Sequence, residues 1–542
     1  MTTMRQPPRS TVVVYFPFDP RAATPYYQQI YQGIRSAILE GRLVRGQRLP
    51  STRTLANELG VSRLPVLNAY DQLLHEGYLA GRVGAGTYVA SSVEQSEGAW
   101  TSRLGSQRSR TSAGRHIAAV AACEADASPK PGAFRVGLPA LDQFPHKAWS
   151  RLVSRNARTL PIELMAYGQP GGHLPLRAAI AEYVRAARAV RCETGQVLMV
   201  GGSQMALRLC ASVLLTSNDV VCVENPGYPG AWSALTATGA VLRGIPVDDG
   251  GVTVRALRAS RSQPRVLYVT PSHQYPLGVA MTASRRLELL DWARRHDAWI
   301  IEDDYDSEYR FTSRPLGALQ GIDRSERVIY VGTFSKVLFP ALRVGYLIVP
   351  ERLRERFLQH RDALDLFSPT LYQAALSDFI SQGHFARHVR RMRVTYHKRR
   401  DALVDSIQRV LGHRLQIVNA DAGMHLCAWL QPRMDDVAVA QRAAERGLSP
   451  IALSTCFVGS ESRPGLVLGF GGSNEAAIAH AVDVLSEVID EVAAESRRSG
   501  RAHRSGRDSS TDSVLPQSRY DTAPAGSCAP QQNTKHETVC DE

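Results

Sequence analysis

The chain has 542 residues, of which 44% are hydrophobic and 21% charged, and these values predict a folded protein of about three domains. They exclude a fibrous or fully disordered chain, and the net charge of +13 is compatible with a nucleic-acid partner. No stretch is apolar enough to span a membrane, the N-terminus lacks the pattern of a secretory leader, and the eight cysteines form no CxxC pair. We therefore expect a cytoplasmic protein with reduced thiols.

Residues 24–90, after an N-terminal extension (1–23), show a helix-turn-helix pattern. Apolar residues at helical spacing predict a first helix that ends at Gly41. A second helix is expected between a cap at Ser51 and Gly60, and a third after a cap at Ser62, with Val66, Leu67, Ala69, Tyr70, Leu73 and Leu74 as its apolar set. The following GYLAGRVGAGTYV alternates like a hairpin, which indicates a wing.

Arginine dominates the charge of this N-terminal part. Residues 1–110 hold 13 arginines, no lysine and 7 acidic residues, a net charge of +6. Arginine is suited to phosphates and guanine edges, so double-stranded DNA is the favoured partner. A protein-interaction module with an arginine-rich surface is the alternative.

LPSTRTLANELGVSR…VLNAYDQLLHEGYLAGRVGAGTYV, in residues 24–90, closely resembles the winged helix of GntR-type regulators. The resemblance implies DNA contacts to phosphate at Arg53, in the major groove at Ser62 and Arg63, and over the minor groove at Arg82 and Gly84. Pro65 and Leu67 depart from the family's pattern in the third helix, so the base preference does not follow from the resemblance.

The rest of the chain divides by composition. Residues 91–131 are rich in Ser, Ala, Gly and Arg and predict a flexible linker, and residues 496–542 predict a disordered tail. Between them, residues 132–495 alternate short apolar runs with helical stretches. This pattern predicts an α/β domain with a mainly parallel sheet.

Polar residues follow several of these apolar runs. WIIEDDYDSEY runs into carboxylates, VLMVGGSQ opens a helix after two glycines, VENPGYPG places a tyrosine in a turn, and GTFSK ends on a lysine. A pyridoxal phosphate site needs these groups: a lysine, a carboxylate at the pyridine nitrogen, an aromatic face and phosphate donors. A solvated acidic loop or a metal site is the alternative for the carboxylates, but no histidine lies nearby at metal-ligand spacing, so no metal is predicted.

Together these segments resemble the fold-type I pyridoxal-phosphate aminotransferases over about 132–495. The resemblance implies that Lys336 forms the Schiff base, Asp303 pairs with the pyridine nitrogen and Tyr305 with the ring hydroxyl. It further implies that Tyr228 stacks on the cofactor ring and that Tyr167 reaches the phosphate of the partner subunit. The phosphate ligands that it implies are Ser203, Gln204, Thr333 and Arg343.

A GntR-type winged helix joined to an aminotransferase-like body resembles the MocR subfamily of bacterial regulators. The resemblance implies a head-to-tail homodimer in which each head is held by the other subunit's body. It implies a transcription factor that senses pyridoxal phosphate, or an amino compound, through an aldimine at Lys336, with weak or absent transamination. A working aminotransferase that carries a DNA-binding head is the alternative.

Two positions depart from active aminotransferases. Tyr275 stands where asparagine commonly precedes Pro-x-Gly, and Val467 stands where an arginine commonly grips the substrate carboxylate, with Arg463 close by in the sequence. The arginine run GHFARHVRRMR could supply another anion contact or form one solvated helix face. Loss of a bidentate carboxylate anchor favours regulation over turnover and leaves room for an effector without an α-carboxylate.

Overall fold

The computed structural model describes residues 16, 18–20, 22, 24–44, 46–82, 86–90, 132–259, 262–311, 316–459 and 462–505. The predicted linker and residues 506–542 of the predicted tail lie outside these residues. Within the described part of the chain, no helix has the length and apolar content that crossing a membrane requires.

The head is a winged helix, as predicted. Its elements are α1 (Tyr26–Leu39), α2 (Thr52–Leu59), α3 (Arg63–His75) and an antiparallel hairpin of β1 (Leu79–Arg82) and β2 (Gly86–Val89). Ser51 Oγ accepts a hydrogen bond from Thr54 N at 3.1 Å and caps α2, and Gly60, at φ +65°, ends it. Ser62 occupies the N-cap position of α3, but its side chain makes no capping hydrogen bond, so the predicted cap is wrong in this respect.

The core of the head follows the helical periodicity. Ile30, Ile34, Val66 and Leu73 are fully buried. Leu67, predicted in the apolar set of the third helix, is instead 43% exposed, because one step along the helix turns it about 100° away from Val66 and the buried face.

The body contains an eight-stranded sheet flanked by helices. Its strands are β3 (Val197–Val200), β4 (Val220–Asn225), β5 (Val241–Asp248), β6 (Gly251–Val252), β7 (Val266–Val269), β8 (Trp299–Asp304), β9 (Val328–Thr333) and β10 (Gly345–Ile348). The helices are α4 (His146–Thr159), α5 (Ile162–Met165), α6 (Leu174–Arg188), α7 (Ser203–Leu214), α8 (Pro229–Leu235), α9 (Val254–Arg258), α10 (Ala283–Arg295), α11 (Glu351–Asp365) and α12 (Thr370–Ser381).

The strand order in this sheet is β3-β10-β9-β8-β7-β4-β5-β6. The central pairs from β9 through β8, β7 and β4 to β5 are parallel, whereas β10 runs antiparallel to both β3 and β9. The α/β architecture with a mainly parallel sheet is therefore confirmed. Strands β8 and β9 are buried along their whole length, as expected for central strands of a parallel sheet that is covered on both faces.

A smaller α/β layer completes the body. Strands β11 (Leu415–Asn419), β12 (His425–Leu430), β13 (Ile451–Ala452) and β14 (Gly465–Gly469) form an antiparallel sheet in the order β11-β12-β14-β13. Three helices precede, interrupt or follow these strands in the chain: α13 (His384–Leu411), α14 (Asp436–Glu445) and α15 (Glu475–Ser505). The last helix continues past residue 495, so residues 496–505 are helical where the sequence predicted disorder.

The head contacts the body within the chain. The N–H of Ala283, the first residue of α10, donates to the carbonyl of Glu76 at 3.1 Å, and Gln28 Nε2 donates to the carbonyl of Ala186 at 3.0 Å. Ala283 also belongs to the apolar core of the head. The surface of the body that contacts the head of the same chain therefore includes Ala186 and Ala283.

Candidate functional site

The predicted site residues of the body follow the carboxyl ends of β3, β4, β8 and β9. Ser203 follows β3, Tyr228 follows β4, Asp303 lies at the end of β8, and Lys336 follows β9. These strands run in one direction, so their carboxyl ends meet at one edge of the sheet, where open α/β sheets bind ligands. We call this place the strand-end site.

Lys336 is half-buried, and its Nζ donates to the carbonyl of Gly137 at 3.2 Å. Burial lowers the pKa of Lys336, and the charge of Arg135 lowers it further, against the opposing carboxylates of Asp306 and Asp303. A lysine with a lowered pKa has more neutral amine at a given pH, which is the form that attacks carbonyl carbons.

Asp303 is buried and interacts electrostatically with this amine. Its Oδ2 accepts a hydrogen bond from Tyr268 Oη at 2.8 Å, while its Oδ1 is buried and has no partner within the described residues. Burial raises the pKa of Asp303 to about 7, although the hydrogen bond from Tyr268 and the charge of Lys336 oppose the rise. An unpaired buried carboxylate oxygen is costly, so this atom is placed to receive a donor from a bound group.

The predicted phosphate end lies at the start of α7. Gly202 precedes the helix at φ +99°, and a Cβ there would come within 3.3 Å of Nη1 of the exposed Arg343. Helix N-termini and guanidinium groups both attract phosphate. Thr333 is buried, and its Oγ1 accepts from Ser335 N at 3.2 Å.

Aromatic rings line the same site. Gln204 Nε2 donates to Tyr228 Oη at 3.0 Å, so this predicted phosphate ligand orients the stacking tyrosine. The rings of Tyr228 and Tyr275 lie 5.5 Å apart, edge to face. Tyr305 Oη donates to the carbonyl of His273 at 2.9 Å.

The sequence did not single out four buried residues of this site: Tyr268, His273, Asp306 and His425. His273 Nδ1 lies 2.9 Å from Asp306 Oδ1, and the rings of His273 and His425 are 5.0 Å apart. One ligand atom from each of His273, Asp306 and His425 lies within 4.8 Å of the others. The position of His273 in VTPSHQYP and of Asp306 in DDYDSEY, each shortly after a strand end, could have indicated these two residues. No local sequence feature marks His425.

Two predicted features lie on other surfaces of the body. Tyr167 is 85% exposed, next to the exposed Ile162 and Met165, and its ring lies 6.3 Å from that of Phe367. The arginine run lies on α13, where Arg393 Nε donates to the carbonyl of Glu308 at 2.6 Å.

The two positions predicted to depart from the aminotransferase pattern, Tyr275 and Val467, lie in the same cluster of buried residues. Val467 is fully buried in an apolar cluster with Tyr275, Cys427 and other residues. Arg463, the alternative anchor, lies with its guanidinium 4.2 Å from the ring centroid of Trp429.

The predicted DNA contacts lie around α2 and α3. Arg53, Ser62 and Arg63 are exposed, and Arg63 Nε donates to Thr52 Oγ1 at 3.1 Å. Arg82 is the last residue of β1, and Gly84 lies outside the described residues.

The fold and the site define a class of protein: a winged-helix head on an aminotransferase-type body. Comparison with family models agrees, since residues 26–89 match "Bacterial regulatory proteins, gntR family" and residues 145–463 match "Aminotransferase class I and II". The body is also similar to the alpha-aminoadipate aminotransferase LysN of Thermus thermophilus, solved with N-(5'-phosphopyridoxyl)-L-leucine. That likeness has a TM-score of 0.65 and 26% identity, over 70% of this chain and 97% of the other.

Comparison with curated proteins over most of the chain identifies its family more closely. The chain is 42% identical to the probable rhizopine catabolism regulatory protein MocR of Rhizobium meliloti, over 84% of this chain and 92% of that protein. It is 32% identical to the pyridoxine biosynthesis transcriptional regulator PdxR of Corynebacterium glutamicum, over 88% of this chain and 97% of that protein. The chain belongs to the MocR-type family of helix-turn-helix transcriptional regulators.

Proposed function

We propose that this regulator binds pyridoxal phosphate in the strand-end site and changes its hold on DNA when a small amine binds there. Pyridoxal phosphate supplies an aldehyde that reacts reversibly with primary amines. The proposal rests chiefly on one observation: the buried Oδ1 of Asp303, which has no hydrogen-bond partner among the described residues, shares a site with the Lys336 amine, whose pKa is lowered.

The residues present suit this cofactor. Lys336 would bind its aldehyde carbon, and Asp303 would accept a hydrogen bond from its pyridine nitrogen. Tyr228 would cover the ring and Tyr305 would contact the ring hydroxyl. The phosphate would lie at the start of α7, with Ser203, Gln204, Thr333 and Arg343 around it.

A homodimer would complete the site. Tyr167 is 85% exposed and lies near Ile162 and Met165 in the sequence, which are 77% and 66% exposed. Contiguous exposed apolar side chains mark interaction surfaces. We propose that this patch meets a second copy, so that each Tyr167 reaches the phosphate of its partner.

The head would bind double-stranded DNA through the first turns of α2 and α3 and through the wing. Arg53 would neutralise a phosphate, Ser62 and Arg63 would enter the major groove, and Arg82 and Gly84 would lie over the minor groove. Two heads in one dimer would contact paired half-sites.

A direct chain of contacts links the strand-end site with the head, and it begins at β8. Strand alternation points Asp303 to one face and its neighbours Glu302 and Asp304 to the other. Glu302 accepts hydrogen bonds from Leu319 N at 2.7 Å and Gln320 N at 2.8 Å. The end of β8 therefore holds the segment 316–320.

The same segment faces the head. Arg188 Nε donates to Asp304 at 2.6 Å, and another nitrogen of Arg188 donates to the carbonyl of Leu316. A Cβ on Gly317 would lie 3.3 Å from Tyr31 Oη and 3.4 Å from Arg35 Nη2 of the head. A shift at Asp303 would thus move the surface on which a head rests, which is the differential contact that a ligand-driven switch needs.

A working aminotransferase is the second candidate, favoured by the match of residues 145–463 to that enzyme family. The buried Val467 argues against turnover of ordinary amino acids, because it offers no charge to a substrate carboxylate.

The test is an absorbance spectrum of the full chain with pyridoxal phosphate, before and after addition of amines, next to a gel-shift titration of operator DNA. We expect a visible band that amines shift without accumulation of keto product, together with a change in operator affinity. Steady keto-product formation would establish the enzyme instead. Absence of a band would refute cofactor binding.

A further inference from the structure

The corner of the strand-end site formed by His273, Asp306 and His425 contains two buried side-chain atoms for which the described part of the chain supplies no hydrogen-bond partner. His425 is 3% exposed, and its Nε2 has no partner within the described residues. Asp306 is 1% exposed, and its Oδ2 has none either. Buried polar atoms are nearly always paired, so these two atoms indicate where a bound molecule makes its polar contacts.

The His425 imidazole is neutral in this corner. Burial, with the neighbouring His273, lowers the pKa of His425 to about 3, so the ring carries one proton at physiological pH. A neutral imidazole has one donor and one acceptor nitrogen, so a donor placed at Nε2 selects the tautomer in which Nδ1 carries the proton and Nε2 accepts.

Asp306 strengthens this preference for donors. Its Oδ1 accepts from His273 Nδ1 at 2.9 Å, and its charge acts on Lys336, which places the carboxylate near the amine. A hydroxyl or ammonium group can donate to the lone pairs of Asp306 and His425. A carboxylate has no proton to donate and would be repelled by Asp306.

The apolar side of the site agrees with this reading. Val467, at the position that resemblance gives to a carboxylate-binding arginine, packs with Tyr275 and Cys427 and offers no charge. Tyr275 lies between the two sides, since its ring is 5.4 Å from that of His425.

We propose that the effector is a primary amine without a carboxylate, whose far end donates hydrogen bonds through hydroxyl groups to His425 Nε2 and Asp306 Oδ2. This inference rests on the proposed function and names the ligand class of the same site. A divalent cation is the other occupant that a His-His-Asp cluster can hold. It is disfavoured here because His273 and Asp306 are already hydrogen-bonded to each other.

The experiment titrates the full chain, loaded with pyridoxal phosphate, with four small amines: an amino-diol, a diamine, a plain alkylamine and an ω-amino acid of equal length. Affinity is read from the absorbance shift and, independently, from the change in operator binding. We expect the amino-diol to bind at least about tenfold more tightly than the amino acid and the alkylamine. A stronger response to the diamine would mean that the effector donates to these two atoms through an ammonium group, and it would contradict the assignment of hydroxyl groups.

The variants are His425→Phe and Asp306→Asn, with His480→Phe on the exposed face of α15 as the control. Either site variant should lower the ratio of amino-diol affinity to alkylamine affinity by about tenfold. The ratio is the readout because the charge of Asp306 also acts on Lys336, which would change the binding of all amines together. His425→Gln, which can present an acceptor, should restore part of it. If His425→Phe fails to fold, Asp306→Asn still tests the preference.

The outcomes separate the two proposals. If amines shift the band but the amino acid binds most tightly, the effector inference is wrong and the sensor proposal stands. If no amine shifts an existing band, the sensor proposal itself fails. Stoichiometric Zn²⁺ binding by the cofactor-free protein in calorimetry, lost in His425→Phe, would make the cluster a metal site and overturn the effector inference.

Discussion

The head and the body present their candidate functional residues in opposite ways. In the head, Arg53, Ser62 and Arg63 are exposed on short helices, and the fold only positions them. In the body, Asp303 is buried, Lys336 is half-buried, and the pKa of each is shifted chiefly by burial. The difference indicates that substitutions in the head should change binding alone, whereas substitutions in the strand-end site should change binding, ionisation and stability together.

Lys336→Ala should give the largest effect, because Lys336 supplies the amine to which we propose that the cofactor attaches. We expect complete loss of the visible absorption band that pyridoxal phosphate gives with the wild-type protein. Lys147→Ala, an exposed lysine on α4, is the matched control. A Lys336→Ala protein that kept the band and still answered the effector would contradict the assignment.

Asp303→Asn should separate binding from stability. The folded pKa of about 7 lies above the usual value of about 3.9, so the folded state holds a proton that the unfolded state has lost. The stability that this group contributes is therefore present below about pH 4 and lost as the pH rises through about 7.

Without cofactor, the asparagine variant should gain on the order of 2–4 kcal/mol over wild type at pH 8, and little at pH 4. Thermal melting of both proteins at both pH values measures this difference. Glu224 and Glu302 also have raised pKa values, but their contributions are the same in both proteins and cancel in the comparison. The variant should also bind pyridoxal phosphate more weakly. An equal change in stability at both pH values would mean that Asp303 ionises normally.

Arg63→Ala should weaken operator binding by about 1–3 kcal/mol and relax base preference at one position. Arg53→Ala should weaken all sequences alike and reduce the salt dependence of binding by about one counterion. Neither should change melting temperature or the cofactor spectrum, and Arg294→Ala on α10 is the control. A loss of stability in Arg63→Ala would break the proposed contrast between head and body.

Gly317→Ala should have the smallest effect and tests the contact between the two regions. The new methyl group would press on the tips of Tyr31 and Arg35, which can yield by a few tenths of an ångström. We expect unchanged cofactor binding and a change of about 0.5–2 kcal/mol in the coupling between effector and operator. The measurement is operator affinity with and without effector; an unchanged ratio would remove segment 316–320 from the proposed pathway.

The sequence predicted most of the architecture because its signals are local. Gly60 and Ser51 define α2 through backbone geometry and a cap, and the apolar runs define the central strands. Short polar sequences after strands likewise indicated Lys336 and Asp303. The sequence prediction was wrong for Leu67, whose position on α3, one residue after the buried Val66, makes it exposed. It was also wrong for residues 496–505, because α15 continues through polar residues to Ser505.

The supporting residues of the site could not be predicted in the same way. Tyr268 and Asp303 are far apart in sequence and meet only because β7 and β8 are adjacent. His425 comes from the small sheet, and Gly137 from a segment before the large one. Their roles depend on tertiary contacts, which spacing along the chain does not encode.

The enclosed amine of Lys336 has a consequence for chemical selectivity. The only lysines of the chain are Lys130, Lys147, Lys336, Lys398 and Lys535, since arginine supplies almost all of its positive charge. Arginine does not form imines under ordinary conditions, and an exposed lysine is almost fully protonated at neutral pH. Among the side-chain amines that the structure describes, Lys336 is therefore the most reactive towards an aldehyde, and brief borohydride trapping of the purified protein should label it before the exposed Lys147 and Lys398.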